Sequence, residues 1–234
     1  AGKGHEENQD YGSYLKKLSD KKIILKYIKN KNKCLSQNWK VNIFNEEFKK
    51  QIPLNSTISK ASINSKEIKK GDIFFAIKGK KKDGNFFVKE TIKKGASFVV
   101  VNKINRSVKR SKQILTKDSL QSLTNISENI RIGSEAKIVA ITGSCGKTSL
   151  KELLVNALSK IEKISFSPKS YNNKYGVPLS LFNINKNDKF GIFEVGMDKS
   201  GEIDFLSNII KPDLAVITNI SYAHAKNFKN INQI

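Results

Sequence analysis

Residues 137–154, KIVAITGSCGKTSLKELL, constrain the chain more than any other stretch. Lys137 to Ile141 is mostly apolar with little alternation, the pattern of a central parallel strand covered on both faces. Thr142-Gly143-Ser144-Cys145-Gly146-Lys147-Thr148 follows at once, and from Ser149 to Ser159 the apolar residues Leu150, Leu153, Leu154, Ala157 and Leu158 recur at helical spacing. A glycine-rich turn feeding a helix aims several backbone N–H groups at one point. The helix dipole adds partial positive charge there, so the turn suits a polyphosphate. In such a loop Lys147 reaches the outer phosphates and the Thr148 hydroxyl sits on Mg²⁺. The strict phosphate-loop pattern wants a further glycine where this chain has Ile141, so the match is to a shorter variant.

At 234 residues the chain has room for one large or two small domains. Cys34 and Cys145 lie in unrelated contexts and suggest neither a disulfide framework nor a zinc site. No apolar run is long enough to span a bilayer and no signal peptide is visible, which makes the cytoplasm the expected location. The net charge of +22 raises the question of nucleic acid. The lysines, however, are spread along the whole length among asparagines and isoleucines, with no aromatic-interleaved basic motif. The expectation is a solvated, lysine-rich surface that attracts phosphate-bearing substrates, and no nucleic-acid partner.

In chain order, the opening AGKGHEENQDYG is a polar, glycine-bearing run, and Ile23, Ile24, Tyr27 and Ile28 predict a short amphipathic helix over 22–31. Lys29 to Lys33 reads as a linker. From Trp39 a second unit begins, short and mixed over 41–48. Strands are predicted at 58–63, at Ile73 to Ile77 and at Ser97 to Val101, with a helix at Phe87 to Lys94 capped by Gly95. Val108 to Leu115 reads as a strand end, and Ser119 to Arg131 as a helix that packs on this unit or leads into the next. Beyond Gly133, strands at 163–166, 190–195 and 213–220 alternate with helices near 177–181 and at 202–210, which predicts a parallel sheet with right-handed crossovers. The expected fold is α/β: 1–38 as a tail and linker, 39–132 as a small N-terminal α/β domain, and 133–234 as the first part of a phosphate-loop, parallel-sheet domain.

Two further positions bear on chemistry. Glu194 ends an otherwise apolar strand, FGIFEVG, at the sheet edge where α/β proteins bind ligands. Burying a carboxylate there without a partner costs several kcal/mol, so a cation or donor is implied, and Mg²⁺ shared with Thr148 fits. His224 follows the last strand at the same edge, where it either ligates a metal or touches a phosphoryl oxygen.

These residues together resemble a known family. TGSCGKTS, YNNKYGVPLSL, EVGMDKSGEI and ITNISYAH, in this order and spacing, are similar to the Mur ligases of peptidoglycan synthesis. Asn172-Asn173 and Gly176-Val177-Pro178-Leu179 look like the branch that adds D-alanyl-D-alanine, and SINSKEIKKGDIFFAIKGKKKDGNFF resembles the N-terminal domain that binds the UDP end of the substrate. The resemblance implies a reaction in which ATP phosphorylates the terminal carboxylate of UDP-N-acetylmuramoyl-tripeptide and the amine of D-Ala-D-Ala attacks the acyl phosphate. By position it implies ATP contacts from Gly143, Ser144, Cys145, Gly146, Lys147, Thr148, Ser149 and Asn173, with Lys147 and His224 in catalytic positions. Thr148, Glu194 and His224 match its Mg²⁺ site, and Ser65, Lys66, Asp83 and Asn85 its UDP-substrate contacts.

The chain departs from the family pattern at Cys145 for asparagine, Asn64 for aspartate, Lys66 for arginine, Asn85 for histidine, and Ala225-Lys226 for Leu-Glu. It also stops before the lysine that members often carbamylate and before the closing C-terminal domain, so a fragment without turnover of its own is expected. AGKGHE followed by a glutamine and a glycine resembles the end of the diaminopimelate-adding Mur ligase, where Glu6 would match a residue touching the added amino acid. That stretch implies fusion to a preceding Mur ligase; a vestigial or tag-derived leader is the alternative. Other readings of the function are another Mur or folylpolyglutamate-type ligase, and a non-catalytic basic nucleotide-binding module.

Overall fold

The computed structural model describes residues 39–49, 52–53, 56, 58–79 and 82–221. The tail, helix and linker expected within residues 1–38 lie outside the described residues, and so does His224. Helix α1 (Trp39–Phe48) comes first, followed by β1 (Ala61–Ser62) and β2 (Ile73–Phe75). A 3-10 turn, Gly84–Phe87, runs into α2 (Val88–Lys93), and β3 (Phe98–Val101), β4 (Gln113–Leu115) and α3 (Ser119–Gly133) complete the first unit. The second contains β5 (Lys137–Thr142), α4 (Lys147–Leu158), β6 (Ile164–Phe166), α5 (Gly176–Phe182), β7 (Phe190–Glu194), α6 (Glu202–Ile210) and β8 (Leu214–Ile217). Two four-stranded parallel sheets result, ordered β1-β2-β3-β4 and β6-β7-β5-β8. The α/β, parallel-sheet class expected from the alternation is the class observed.

The strand interiors explain why both sheets are parallel. Ile73, Phe74 and Phe75 are all buried, as are Phe98 to Val101, because helices cover both faces. Alternate residues serve different cores: Phe74, Val99 and Val101 pack with Val88 and Ala96, whereas Ile73, Phe75 and Val100 face the other way. That second side is shared between the sheets. Phe44 of α1, Leu123 and Ile126 of α3, Val177 and Phe182 of α5, and Ile138 and Phe193 of the second sheet form one continuous cluster with it. Phe75 touches Phe44 and Phe182 edge-on, with ring centroids 6.5 and 6.0 Å apart. Ser127 Oγ of α3 donates to the Pro178 carbonyl of α5 at 2.7 Å, a buried link between the units.

Several elements differ from the sequence reading. Residues 41–48, which look mixed, lie in helix α1, because Trp39, Val41, Ile43 and Phe44 are all buried against that shared cluster. The strands at 58–63, 73–77 and 108–115 are shorter, at two, three and three residues. Helix α4 buries its apolar stripe only in part: Leu150, Leu154 and Leu158 are half-buried against Ile141, Val155 and Ile192, Leu153 is 67% exposed and Ala157 is exposed, whereas the buried residues of the helix are Lys151 and Val155. A lysine at the centre of a buried helix face requires a local anionic partner.

Candidate active site

The order β6-β7-β5-β8 places α4 on one face of the second sheet, against Ile141 and Ile192, and α6 on the other, with Leu206 and Ile209 in the shared cluster. The chain therefore changes direction at β5, and a crevice opens at the C-terminal ends of its strands. The glycine loop 143–146 lies there. Gly143 has φ +131° and Gly146 φ +83°, so both hold backbone that side chains rarely adopt, and a Cβ on Gly143 would come 2.2 Å from Thr218 Oγ1.

The segment after β8 fixes the loop from behind. Asn219 O accepts from the Ser144 N–H at 2.9 Å, and Asn219 Oδ1 accepts from the Cys145 N–H at 3.0 Å. Thr218 Oγ1 donates to the Cys145 carbonyl at 2.5 Å, and Ser144 Oγ bonds both the Ser221 carbonyl and the Ser221 N–H. The Cys145 thiol is exposed and accepts from Asn219 Nδ2 at 2.9 Å. Lys147 Nζ donates to the Gly143 carbonyl and lies 3.4 Å from that of Ser144, so the ammonium sits over the loop. Ser149 follows in the first turn of α4.

Glu194 ends β7 beside Ile141 in register, with no exposed surface. Its Oε2 accepts from the Thr148 hydroxyl at 3.2 Å. Its Oε1 is 2.9 Å from the ammonium of Lys151, also fully buried, yet the angle falls outside hydrogen-bond geometry and Oε1 has no hydrogen-bond partner. Distance governs an ion pair and angle a hydrogen bond, so this contact is an ion pair. The expected cation or donor beside Glu194 is thus twofold, and the sequence reading missed Lys151. A buried carboxylate beside a hydroxyl suits a hard cation that takes one or two protein oxygens and otherwise phosphates and water. Among the described residues no three His, Cys, Asp or Glu side chains form a metal cluster. Thr148 and Glu194 are the expected ligands that the structure describes.

Asn173 also has a structural task. Its Oδ1 accepts from the N–H groups of Tyr175 and Gly176, both at 3.0 Å, capping the start of α5. Two of the remaining expected residues line a cavity of about 670 Å³ at the C-terminal ends of β1 and β2. Ser65 and Lys66 line it, joined by Lys82, Phe87, Lys174 and Tyr175, and no acidic side chain does. Asp83 and Asn85 flank the lining residue Gly84 but hold each other: Asp83 Oδ1 accepts from the Asn85 N–H at 2.9 Å and from its Nδ2 at 2.7 Å. These two bonds hold the Asp83 carboxyl below the usual carboxylate range. Asn85 Oδ1 in turn accepts from the Asn102 N–H at 3.2 Å. Lys82, Lys174 and Tyr175 were not expected from sequence, although the basic, glycine-flanked run 78–84 holds the first and the motif YNNKYGVPLSL the other two. Lys174 and Tyr175 lie beyond β6 in the second unit, so both units build this cavity.

Residues 57–144 match the family model described as Mur ligase family, catalytic domain, and residues 141–234 match the Mur ligase middle domain. The chain belongs to the Mur ligase family. Among relatives, it is 38% identical over 176 residues to the UDP-N-acetylmuramoyl-tripeptide–D-alanyl-D-alanine ligase of Rickettsia prowazekii, covering 75% of this chain and 39% of that protein. The ligase of the same name from Buchnera aphidicola (subsp. Acyrthosiphon pisum) is 37% identical, over 74% of this chain and 38% of its own length. Among solved structures, MurF from Acinetobacter baumannii superposes with a TM-score of 0.71 at 29% identity, over 82% of this chain and 43% of that one. MurF ligase from Thermotoga maritima in complex with ADP gives 0.64 at 31% identity, over 78% of this chain and 42% of that one. This Mur ligase chain therefore spans about two fifths of the length of the relatives it matches. Among its described residues no helix is long and apolar enough to cross a membrane.

Proposed function

We propose that the chain supplies the nucleotide and UDP-substrate sites of an ATP-dependent amide ligase that joins D-alanyl-D-alanine to UDP-N-acetylmuramoyl-tripeptide. The observation that carries this is the convergence of the glycine loop, Thr148 and Glu194 on one sheet edge, in a chain that also holds a cavity rimmed by lysines and built from both units. The names of the relatives support the choice of substrates, and the ADP complex of a similar structure supports the nucleotide. In this reading residues 39–132 form the UDP-substrate domain, 133–234 begin the ATP domain, and Lys66, Lys82 and Lys174 attract the diphosphate beside Ser65. Asp83 and Asn85 shape the loop that carries Lys82.

The N–H groups of the loop from Gly143 to Ser149 hold the ATP phosphates, and the Lys147 ammonium exchanges the Gly143 carbonyl for a phosphate oxygen. There it neutralises charge as the γ-phosphoryl passes to the substrate carboxylate, giving ADP and an acyl phosphate. The amine of D-Ala-D-Ala then attacks the acyl carbon, releasing phosphate and forming the amide. Thr148 and Glu194 would hold Mg²⁺, with His224 as the third ligand or beside a phosphoryl oxygen. When bound, Mg²⁺ would supply positive charge that offsets the charge of the phosphates.

Calorimetric titration of the full chain with ADP plus Mg²⁺, and separately with UDP-N-acetylmuramoyl-tripeptide, tests this. Both ligands should bind. Lys147→Ala should weaken ADP about tenfold or more, the scale of one lost charge-assisted contact, and leave the tripeptide unaffected. A chain that binds neither ligand, or a Lys147→Ala variant that binds ADP as the parent does, would overturn the reading.

A further inference from the structure

Lys151 has a buried ammonium that the proposed chemistry does not use. It has no exposed surface, and groups of the chain itself surround it. It contacts the Ser167 carbonyl at 3.0 Å, the Lys169 carbonyl at 2.6 Å, Glu194 Oε1 at 2.9 Å and Glu152 Oε1, on a half-exposed side chain, at 3.2 Å. Thr148 and Lys151 stand three residues apart on α4, the spacing that puts two side chains on one helix face. Together they take the two oxygens of one carboxylate, Thr148 at Oε2 and Lys151 at Oε1.

We propose that Lys151 is a positioning residue for the metal-binding carboxylate, holding Glu194 by Oε1 so that Oε2 stays turned toward Thr148 and the mouth of the phosphate loop. The inference rests on the nucleotide and metal reading above. The neighbouring contacts make the lysine a fixed post. Two backbone carbonyls of the segment after β6 hold its ammonium, and the hydroxyl of Ser167 in that same segment accepts from the Glu194 N–H at 3.0 Å. Backbone and side chain of Glu194 are thus tied to one segment, the side chain through Lys151. A glutamate has three side-chain torsions, and among the described residues no hydrogen bond reaches Oε1, so the ion pair with Lys151 is the polar contact that fixes that side of the carboxylate.

The test is the gain in ADP affinity that Mg²⁺ confers, measured by calorimetry on the full chain with and without the metal. Partners that orient a metal ligand cost about 10–100-fold in metal affinity when removed. Lys151→Met should therefore shrink the Mg²⁺ gain by about tenfold or more while metal-free ADP binds within about twofold of the parent. A full gain in the variant overturns the inference, and so does an equal loss with and without metal, which is what a merely structural lysine would give. Should the parent show no gain from Mg²⁺, the metal site and the inference fall together, whereas a parent gain retained in the variant sinks the inference alone. If Lys151→Met does not unfold cooperatively, the variant Lys151→Met/Glu194→Gln, which carries no unpaired buried charge, is compared with Glu194→Gln. The inference requires the two to show the same Mg²⁺ gain, and a further fall in the double variant overturns it.

Discussion

Gly143 is where the demands on a single residue are greatest. Its φ of +131° excludes ordinary side chains, and the Thr218 hydroxyl occupies the space a methyl group would need. Gly143→Ala should cost roughly 2 kcal/mol or more, combining backbone strain with a clash that must push Thr218 off the Thr142 and Cys145 carbonyls. Urea unfolding should register that loss, and ADP titration a weakening well beyond what thermal stability alone explains; a Gly143→Ala variant with parental affinity would refute the account. Legibility at this scale followed anomaly. Glu194 was readable because an acid closing an apolar strand contradicts its surroundings. Lys151 was not, because a lysine before a glutamate in a helix reads as a solvated pair. Only the carboxylate's need for a cation, joined to the three-residue spacing from Thr148, could have singled it out. Asn173 carries a task that its motif does not announce: its side-chain oxygen caps a helix.

Among the elements, α1 shows what sequence periodicity leaves out. Its pattern is weak because Lys40 lies in the buried face, 8% exposed, with its ammonium 5.8 Å from the Trp39 ring centroid and 5.6 Å from that of Phe182. Burial lowers the Lys40 pKa from 10.5 to about 8; Asp188 opposes that shift and Lys60 reinforces it. The sign follows from proton binding. Below about pH 8 both folded and unfolded chains hold the proton, and the full penalty of about 3 kcal/mol applies. Between about 8 and 10.5 the unfolded chain binds more, so the contribution of this residue makes stability rise with pH. Lys40→Met should accordingly be more stable than the parent at neutral pH, and the advantage should fade by about pH 10.5. Denaturant unfolding across that range decides it, and a pH-independent difference would count against a buried charge. The long strands and the helices at 119–133 and 202–210 were readable from their apolar runs and spacing. The short strands of the first sheet were overextended because their flanks are apolar too: Ala76 and Ile77 prolong the β2 pattern although the ladder stops at Phe75.

For the molecule as a whole, the shared cluster between the sheets went unread, since no local pattern reveals that Phe75 and Phe182, more than a hundred residues apart, meet edge-on. The cavity wall contributed by Lys174 and Tyr175 went unread for the same reason. Contacts of this reach also separate in time the writing of a motif from its working shape. The ribosome completes the glycine loop, Gly143 to Thr148, some seventy residues before it delivers Thr218, Asn219 and Ser221, which bond that loop from behind. A nascent chain halted ahead of Leu214 carries every residue of the phosphate signature and none of the brace. Chains released at residue 212 and at residue 234 should differ accordingly, the shorter failing to bind ADP and the longer succeeding. Equal binding by the two would mean that the loop shapes itself. On the braced account, nucleotide becomes a reporter of synthesis: it can stabilise only those chains in which β8 has already joined the sheet.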